Sequence, residues 1–524
     1  MSRTVVVVGG GCSGALVSRE LLRHTVDSVV LVDPAEAPGT GVAYGPAARP
    51  WHLLNSPAGA MSADPDSPGD FVDFCRTRRP AVTAADFMPR SWYGDYLRQV
   101  LENTRRAAAG RLRIVRDRVT RVTAAPAGAT HPGDGAAGRP GTGGGAGIEG
   151  GTGVGIEGGA GAGAGGGIGV ELGSGAWLSA DRVVLAIGAP ASADPLAQWP
   201  AAADACSNWV RDPWAPGALE SVPTDQPVLL LGTGLTAIDV ALSLAATGRR
   251  APMVAVSRHG LLPNPQRRPG PPVATPAGLP ESATSLRQLV GQVRALVRAG
   301  ADWRAVVDGL RPRLDGYWAA LSPVDRDRFL RHLARHWEVH RHRMAPEIAD
   351  ELGRLRAGGR LTVRAAVVGG VAPNPAGGLD VRLDHRFSSA PSTPSAPSTP
   401  SAPDATAGVV GFGAVVNCTG PGRLPASADS LVRQLLADGL ARPGPYGLGL
   451  DVDDAGALRD ADGAVRGLLW TLGPPRRGRL WETTAVPEIR AQARALAIRL
   501  ATEDGSGQDS YLTSRTYRVG IPAG

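Results

Sequence analysis

The stretch TVVVVGGGCSG, Thr4–Gly14, decides the fold, because an apolar strand in it runs directly into a glycine turn. The helix-forming residues ALVSRELL follow, and a second apolar run, VVLV, ends in Asp33. Strand, GxGxxG turn, helix and a second strand with a terminal acid are typical, in this order, of a Rossmann dinucleotide-binding unit. The sequence therefore predicts such a unit at this point of the chain.

Each glycine of this turn has its own physical task. Gly9 permits the tight turn, Gly11 lets a pyrophosphate approach the backbone, and Gly14 lets the helix pack closely on the strand. The phosphates then meet the positive N-terminus of the helix, and Asp33 accepts hydrogen bonds from a ribose. The alternative is a glycine turn that binds no ligand, but it does not explain why the complete strand–turn–helix–strand order is present.

A second motif, VLLLGTGLTAID, repeats the pattern, and its turn contains Gly232, Gly234 and Thr236. The following strand, MVAV, ends in Ser257 and Arg258, so an arginine stands where the first unit has an acid. An acid would repel a 2′-phosphate, whereas a guanidinium group binds it with two hydrogen bonds. Arg258 thus favours NADPH over NADH, unless it is an ordinary solvated arginine.

Two such units predict an α/β fold with two Rossmann-like, three-layer dinucleotide-binding domains, each with a small β-meander. Each unit closes on an apolar strand and a glycine turn, VVLAIGAP with Gly188 in the first and VVNCTGPG in the second. We expect an FAD-binding domain over 1–220 and 405–524, and an NADPH-binding domain over 221–387. The helical pattern of about 281–353 predicts a helical insertion. FAD bound tightly and NADPH exchanging is the usual division of labour.

Two low-complexity segments interrupt these domains. Residues 124–169 are rich in Gly and Ala, and residues 388–408 are rich in Ser, Ala, Pro and Thr. Neither offers enough apolar side chains to offset the entropy of ordering, so both are predicted to be disordered insertions.

The composition excludes several function classes. The 524 residues are 43% hydrophobic and 20% charged, without an apolar run that could span a bilayer, so we expect a cytoplasmic protein with no membrane partner. The net charge is +7, yet the basic residues, all arginine, are scattered among 48 acids, which argues against nucleic-acid binding. The four cysteines form no CxxC pair, which argues against a disulfide scaffold, a zinc ribbon and a dithiol reductase. The oligomeric state stays open.

Several stretches resemble the FAD/NAD(P)-binding flavoprotein family that includes FAD-dependent urate hydroxylase and the aspartate N-monooxygenase of nitrosuccinate pathways. They are GTGVAYG (39–45), HLLNSPAGAMSADPDSPGDF (52–71), FMPRSWYGDYL (87–97), DPW (212–214), GTGLTAIDVALSL (232–244), SRHGLLP (257–263), WEVHRHRMAPEI (337–348), NCTGP (417–421) and GRLWETTAVPEIRAQA (478–493). These stretches run almost from end to end, and they identify the family more closely than they identify a substrate.

The resemblance implies positions for the flavin. The first glycine turn and Asp33 would hold the FAD pyrophosphate and ribose. The segment around Asn55 and Met61 would lie against the isoalloxazine, and Val119 would lie beside the adenine.

The resemblance also implies that the turn with Trp481, Thr483 and Thr484 presents a positive helix N-terminus to the flavin pyrimidine ring. Many two-dinucleotide flavoproteins place Gly-Asp before the last helix, but here Gly473 is followed by Pro474. The ribityl contact that the Asp would make must therefore come from another residue, and Gly473 itself stays a candidate for cofactor contact.

A histidine series follows in the helical segment. His332, His336 and His340 recur every four residues on one expected helix. No acid is placed to complete a metal site, so we expect no metal and favour a buried or interdomain helix face. His340, Arg341 and Arg343 are the candidates for contact with an anionic substrate or with the NADPH phosphates.

The function that fits best is an FAD- and NADPH-dependent monooxygenase that hydroxylates a small nitrogen-containing substrate with O2 through a C4a-hydroperoxyflavin. The chemistry is then centred on the flavin, and no catalytic side chain is assigned. One alternative keeps the cofactors without oxygen insertion, as an NAD(P)H-dependent flavin reductase or dehydrogenase. The other is a non-catalytic FAD-binding, redox-sensing protein.

Overall fold

A computed structural model describes residues 2–124, 167–205, 208–270, 273–282, 285–375, 377–385, 408–424 and 429–505. Most of the two predicted disordered insertions therefore lies outside the described residues. Their described edges, Ala124, Ile168 and Gly408, belong to strands, so the ordered structure reaches further into both segments than expected.

The first sheet has six described strands and forms around the buried run of valines near the start of the chain. Among the described residues the strands are β1 (Thr4–Val8), β2 (Ser28–Val32), β3 (Leu112–Val115), β4 (Val119–Ala124), β5 (Ile168–Leu172), β6 (Trp177–Ala180), β7 (Arg182–Leu185), β8 (Trp209–Val210), β9 (Val228–Leu231), β10 (Met253–Ser257), β11 (Leu361–Pro373), β12 (Leu379–His385), β13 (Gly408–Phe412), β14 (Ala414–Asn417), β15 (Ala457–Arg459) and β16 (Val465–Thr471). The order in the first sheet is β15-β16-β7-β1-β2-β3. Strands β16, β7, β1, β2 and β3 run parallel, and a separate antiparallel meander of β4, β5 and β6 accompanies them.

The second sheet has the order β13-β12-β11-β10-β9-β14-β8. Strands β8, β14, β9, β10 and β11 run parallel, and the long β11 continues into an antiparallel meander with β12 and β13. The parallel pairing of β11 with β10 ends at Ala365, and its antiparallel register with β12 shifts between Val368 and Gly370. The predicted α/β class with two Rossmann-like domains and their meanders is confirmed.

The predicted domain boundaries need a correction. Strands β8, β13 and β14 belong to the second sheet, although residues 209–210 and 408–417 were assigned to the FAD-binding domain. The physical reason is that VVNCTGPG closes the second unit, so its strand β14 pairs in parallel with β9. The chain returns to the first sheet only at β15.

The helices are α1 (Cys12–His24), α2 (Gly41–Tyr44), α3 (Asp70–Arg76), α4 (Arg90–Ala107), α5 (Pro200–Ala205), α6 (Leu235–Ala246), α7 (Leu286–Arg298), α8 (Trp303–Leu310), α9 (Leu314–Ala320), α10 (Pro323–His332), α11 (Ala334–Arg341), α12 (Pro346–Ala357), α13 (Ser430–Ala437) and α14 (Val486–Gly505). Helix α14 packs along α1, and their apolar faces share one buried core with the first sheet. None of the described helices is long and apolar enough to cross a membrane.

Helices α7 to α11 form a helical insertion with a small core of its own, built around Val306, Leu310 and Tyr317. Polar side chains start several of these helices: Ser285 and Ser322 accept backbone N–H bonds at the N-termini of α7 and α10. The histidine series does not lie on one helix, because the chain breaks between α10 and α11 at Leu333. His332 is therefore separated from His336 and His340, which corrects the expected single helix face.

Candidate functional site

The first glycine turn connects β1 to α1 at the carboxyl edge of the first sheet. Gly9 has a φ of 100°, which favours glycine. A Cβ on Gly14 would lie 1.9 Å from the Gly9 oxygen, so helix and turn meet more closely than any side chain allows. Gly11 caps α1 in an extended conformation, with no side-chain cap and no acid in the first turn. The first N–H groups of α1 are thus available to an anion.

Asp33 and a neighbouring loop hold this turn in shape. One carboxylate oxygen of Asp33 accepts the Gly10 N–H at 2.5 Å, and the other accepts the Ala35 N–H at 2.8 Å. The Gly39 N–H donates to the Gly10 oxygen at 2.5 Å. A carboxylate has further lone pairs, so the predicted contact of Asp33 with a ribose remains a prediction that the geometry permits.

The turn of residues 473–484, here called the C-terminal turn, reaches the same place from the other end of the chain. Gly473 has a φ of 73°, and a Cβ on it would lie 3.0 Å from Ser13 Oγ at the start of α1. Its N–H donates to Gln492 Oε1 at 2.8 Å, and Thr483 Oγ1 donates to its carbonyl at 2.7 Å. Gly473 and Thr483 thus lie beside the first glycine turn, while Thr484 is exposed.

Trp481 packs away from this junction. Its ring lies 5.1 Å from that of Trp318 and 4.8 Å from that of Phe329, both in the helical insertion. The Arg477 guanidinium lies 4.7 Å from its centroid. These contacts already account for the burial of Trp481, so its burial does not indicate a flavin beside it. The predicted flavin contact of Trp481 stays a prediction.

The other residues predicted to surround the flavin lie at separate places in the first domain. The Asn55 carbonyl accepts a hydrogen bond from Gln266 Nε2 at 3.0 Å, which joins it to the loop after β10. Met61 is buried in the core with α1, and Val119 is buried on β4. Gly188 has a φ of 72° and open space around it. Their contacts with FAD remain predictions.

The second glycine turn, Gly232–Gly234, connects β9 to α6. Gly232 has a φ of 129°, and a Cβ on it would lie 2.1 Å from the Cys418 oxygen after β14. Gly234 caps α6 in an extended conformation with neither a side-chain cap nor an acid in the first turn, where Thr236 is half-buried. This repeats the open helix N-terminus of the first unit.

Ser257 ends the adjacent strand β10, and Arg258 follows it directly. Ser257 Oγ lies 2.8 Å from Thr233 Oγ1 and accepts the Gly260 N–H at 3.0 Å, so it holds the turn. Arg258 is exposed, and no hydrogen bond or ion pair of its guanidinium is found within the described part of the chain. An exposed guanidinium of this kind can bind a phosphate group. The preference for NADPH over NADH stays a prediction.

A buried set of charges joins the helical insertion to the C-terminal turn. Arg341 Nε lies 3.3 Å from Glu482 Oε2, and Trp337 Nε1 donates to the other oxygen of Glu482 at 3.1 Å. Arg311 binds Glu488 through two hydrogen bonds of 2.5 and 2.6 Å. Burial lowers the pKa of Arg341, and the charge of Glu482 opposes this shift.

The substrate candidates from the sequence fall in and beside this set. Arg343 pairs with Asp308, and the His340 ring lies 4.9 Å from that of Trp303. Both arginines therefore lie within ion-pair distance of carboxylates of the chain itself, although Arg341 Nε and Nη2 have no hydrogen-bond partner among the described residues. Their contact with a substrate stays a prediction.

Sequence reasoning missed two contacts that connect the domains. His52 Nε2 lies 2.8 Å from Ser243 Oγ, and Arg90 Nη1 lies 2.8 Å from the buried Asp239 Oδ2. We call these two contacts the domain latch. Both reach from the first domain to α6, and no sequence pattern links positions so far apart.

A third missed residue is Arg335, at the start of α11. Its Nη2 donates to the Leu261 oxygen at 2.8 Å and to Thr233 Oγ1 at 3.2 Å. The sequence placed it one residue before His336 in a helical segment, but nothing in the pattern indicated that this segment lies on the second glycine turn.

Comparison with known proteins agrees with the two-unit fold. A family model described as FAD-NAD(P)-binding matches residues 6–138, which contain the first glycine turn and Asp33. No curated protein sequence matches the chain significantly.

Three solved structures resemble the whole chain. The FAD-bound cadaverine monooxygenase of the desferrioxamine pathway from Erwinia amylovora has a TM-score of 0.59 at 13% identity, over 100% of this chain and 99% of that chain. The ornithine hydroxylase of Pseudomonas aeruginosa gives 0.57 at 12% identity, over 96% and 99%. The ornithine N-hydroxylase of Kutzneria sp. 744, solved with reduced FAD, NADP+ and L-ornithine, gives 0.54 at 13%, over 96% and 100%. At this identity the likeness concerns the fold.

Proposed function

We propose that this chain is an FAD- and NADPH-dependent monooxygenase that hydroxylates a small nitrogen-containing molecule with O2. The observation that carries the proposal is the pair of open helix N-termini, one at each glycine turn, on two parallel sheets of one chain. Each offers the cradle that a dinucleotide pyrophosphate needs. The fold shared with an ornithine hydroxylase, an ornithine N-hydroxylase and an FAD-bound cadaverine monooxygenase supports the same interpretation.

The residues present fit both cofactors. At the first turn, Gly11 adds no side chain beside the helix N-terminus, where Gly41 is the neighbour of its Cβ position, and Asp33 follows β2 as a candidate partner of a ribose. At the second turn, Gly234 leaves a similar approach, and the exposed Arg258 suits a 2′-phosphate. When bound, FAD would supply a hydride acceptor for NADPH and a means of activating O2, so that NADPH, a proton, O2 and the substrate N–H give NADP+, water and N–OH.

The residues of the chain then have to position the cofactors and the substrate, and they have to exclude water from the site. The helical insertion contacts the C-terminal turn through Arg341 and Glu482, where we expect the flavin ring. A cover at that place would keep water from the reacting atoms. We expect the reaction in the cytoplasm, with an amino acid, an amine or a purine as the class of substrate.

The test is rapid mixing of the FAD-loaded protein with NADPH or NADH without oxygen, followed by aerobic turnover with amines, amino acids and purines. Faster flavin bleaching by NADPH and one hydroxylated product per NADPH consumed are expected. Rapid reduction with only peroxide or a reduced acceptor would favour the flavin reductase. Bound flavin that neither nucleotide reduces would contradict an enzyme and favour a redox-sensing protein.

A further inference from the structure

Helix α11 lies between the two predicted cofactor sites. Its first turn places Arg335 on the second glycine turn, where the guanidinium binds Thr233 and the Leu261 carbonyl. Its last turn places Arg341 against Glu482 of the C-terminal turn. The helical insertion therefore contributes a cation to a dinucleotide site that the Rossmann unit alone would not contain.

The space beside this cation is open. A Cβ on Gly234 would have Arg335 Nη1 as its nearest neighbour, at 4.0 Å. The N-terminus of α6 faces the same space without a side-chain cap or an acid in its first turn. Backbone N–H groups and a guanidinium thus converge where a pyrophosphate would lie, and a side chain at position 234 would fill the cradle.

The charge of Arg335 is only loosely balanced by the protein. Its Nη1 lies 3.6 Å from Glu338 Oε2, and Glu338 is shared with Arg477, whose Nη2 lies 3.3 Å from the other oxygen. Arg341, in contrast, is buried beside Glu482. A guanidinium with one distant, shared carboxylate keeps donor capacity for a further anion.

We propose that Arg335 binds the pyrophosphate of the nicotinamide dinucleotide, so that the helical insertion completes the second dinucleotide site. The proposal rests on the proposed function, because it takes this site to bind a nicotinamide dinucleotide. Arg335 and Arg258 then have separate roles: Arg335 lies at the glycine turn, and Arg258 lies at the end of β10, where a 2′-phosphate is expected.

The experiment measures equilibrium binding of NADP+ and NAD+ to the oxidised, FAD-loaded protein by titration calorimetry, so no turnover is needed. Because both nucleotides carry the pyrophosphate, Arg335→Gln should weaken both by the same factor, roughly tenfold to a hundredfold. Arg258→Gln should weaken NADP+ and leave NAD+ unchanged. Arg331→Gln, on the exposed face of α10, is the matched control and should change neither.

The outcomes separate the inference from its premise. Unchanged binding in Arg335→Gln, or a loss confined to NADP+, would overturn the role of Arg335 and leave the proposed function intact. A wild-type protein that binds neither nucleotide would overturn both. Arg335 also donates a hydrogen bond to the Leu261 carbonyl, so its replacement could destabilise that loop. The thermal unfolding temperature of Arg335→Gln shows whether the variant is still folded. Arg335→Lys, which keeps the charge, should recover part of the binding if a phosphate is the partner.

Discussion

Gly11 and Gly14 stand three residues apart in the first glycine turn, yet an added Cβ would meet different surroundings. At Gly14 it would collide with the Gly9 oxygen at 1.9 Å, whereas at Gly11 its nearest atom is the Gly41 Cα at 3.4 Å. We therefore expect Gly14→Ala to destabilise the fold by about 2 kcal/mol or more, since backbone must move. Gly11→Ala should keep the fold and lose FAD affinity, because its methyl group would occupy the pyrophosphate approach.

Thermal unfolding of the apoprotein and titration with FAD separate these two effects. Gly291→Ala is the control, because that glycine lies inside α7 with open space around its Cβ position. An alanine there should raise helix stability by about 1 kcal/mol and leave FAD binding unchanged. If Gly11→Ala binds FAD as the wild type does, the pyrophosphate does not lie at this turn.

Individual site residues could be predicted from the sequence where the residues that define the site are close together in the chain. The glycine turns could be predicted because strand, turn and helix follow one another in the chain. The position of Trp481 could not, because its packing depends on Trp318 and Phe329, which are more than 150 residues away. Arg335 was missed for the same reason, since its partner Thr233 lies on another element.

At the scale of elements, the helical insertion is fixed to the C-terminal turn by buried charges. Glu482 is 4% exposed, and replacing it by Gln leaves the buried Arg341 guanidinium with only a more distant carboxylate, Glu488, whose Oε1 lies 3.9 Å from Arg341 Nη2. We expect Glu482→Gln to cost about 3 kcal/mol, the usual penalty for breaking a buried pair from one side. Unfolding of the FAD-loaded protein measures the loss, and peroxide released per NADPH should rise if the insertion covers the flavin.

A double-mutant cycle identifies the cause. Arg341→Gln together with Glu482→Gln should cost less than the sum of the single substitutions, because no uncompensated charge remains. Glu351→Gln is the control, since its contact with Arg354 is exposed and is expected to contribute little. Additive losses in the cycle would mean that Arg341 and Glu482 do not act as a pair.

The individual helices and strands could be predicted from the sequence better than the way in which they pack together. Apolar periodicity placed the helical insertion, but not its break at Leu333 or the side of it that contacts the C-terminal turn. The boundary at 405 was wrong because a low-complexity segment precedes β13 and β14 in sequence. Strand pairing with β12 and β9, which sequence does not reveal, keeps both in the second sheet.

At the scale of the whole molecule, the domain latch joins α6 to the loop before Asn55 and to the start of α4, and so relates the two glycine turns to each other. His52 is 1% exposed; its Nδ1 accepts the Arg49 N–H at 3.1 Å, and its Nε2 lies 3.2 Å from the Asp239 carbonyl. This pattern fits a neutral ring that carries its proton on Nε2. Burial, with the charge of Arg90, lowers the pKa of His52 from 6.5 to about 4.

The sign of the pH effect follows from this lowered pKa. The unfolded chain takes up a proton on His52 below about pH 6.5, and the folded protein does so only near pH 4. The stability that the neutral ring contributes is complete above pH 6.5 and is lost as the pH falls towards 4. His342 has the same window, because burial also lowers its pKa to about 4.

We therefore expect the unfolding temperature of the FAD-loaded protein to fall between pH 6.5 and 4.5, and to fall less steeply in His52→Gln. Glutamine can still donate to Asp239 and Ser243 but has no titrating nitrogen, so the difference in slope isolates His52 from the carboxylates that titrate nearby. His332→Gln, at an exposed position, should keep the wild-type slope. Equal slopes in the wild type and in His52→Gln would show that protonation of His52 does not open the latch. The two nucleotide sites would then keep their relative position at low pH through the other contacts between the domains, such as Arg90–Asp239 and Gln266–Asn55.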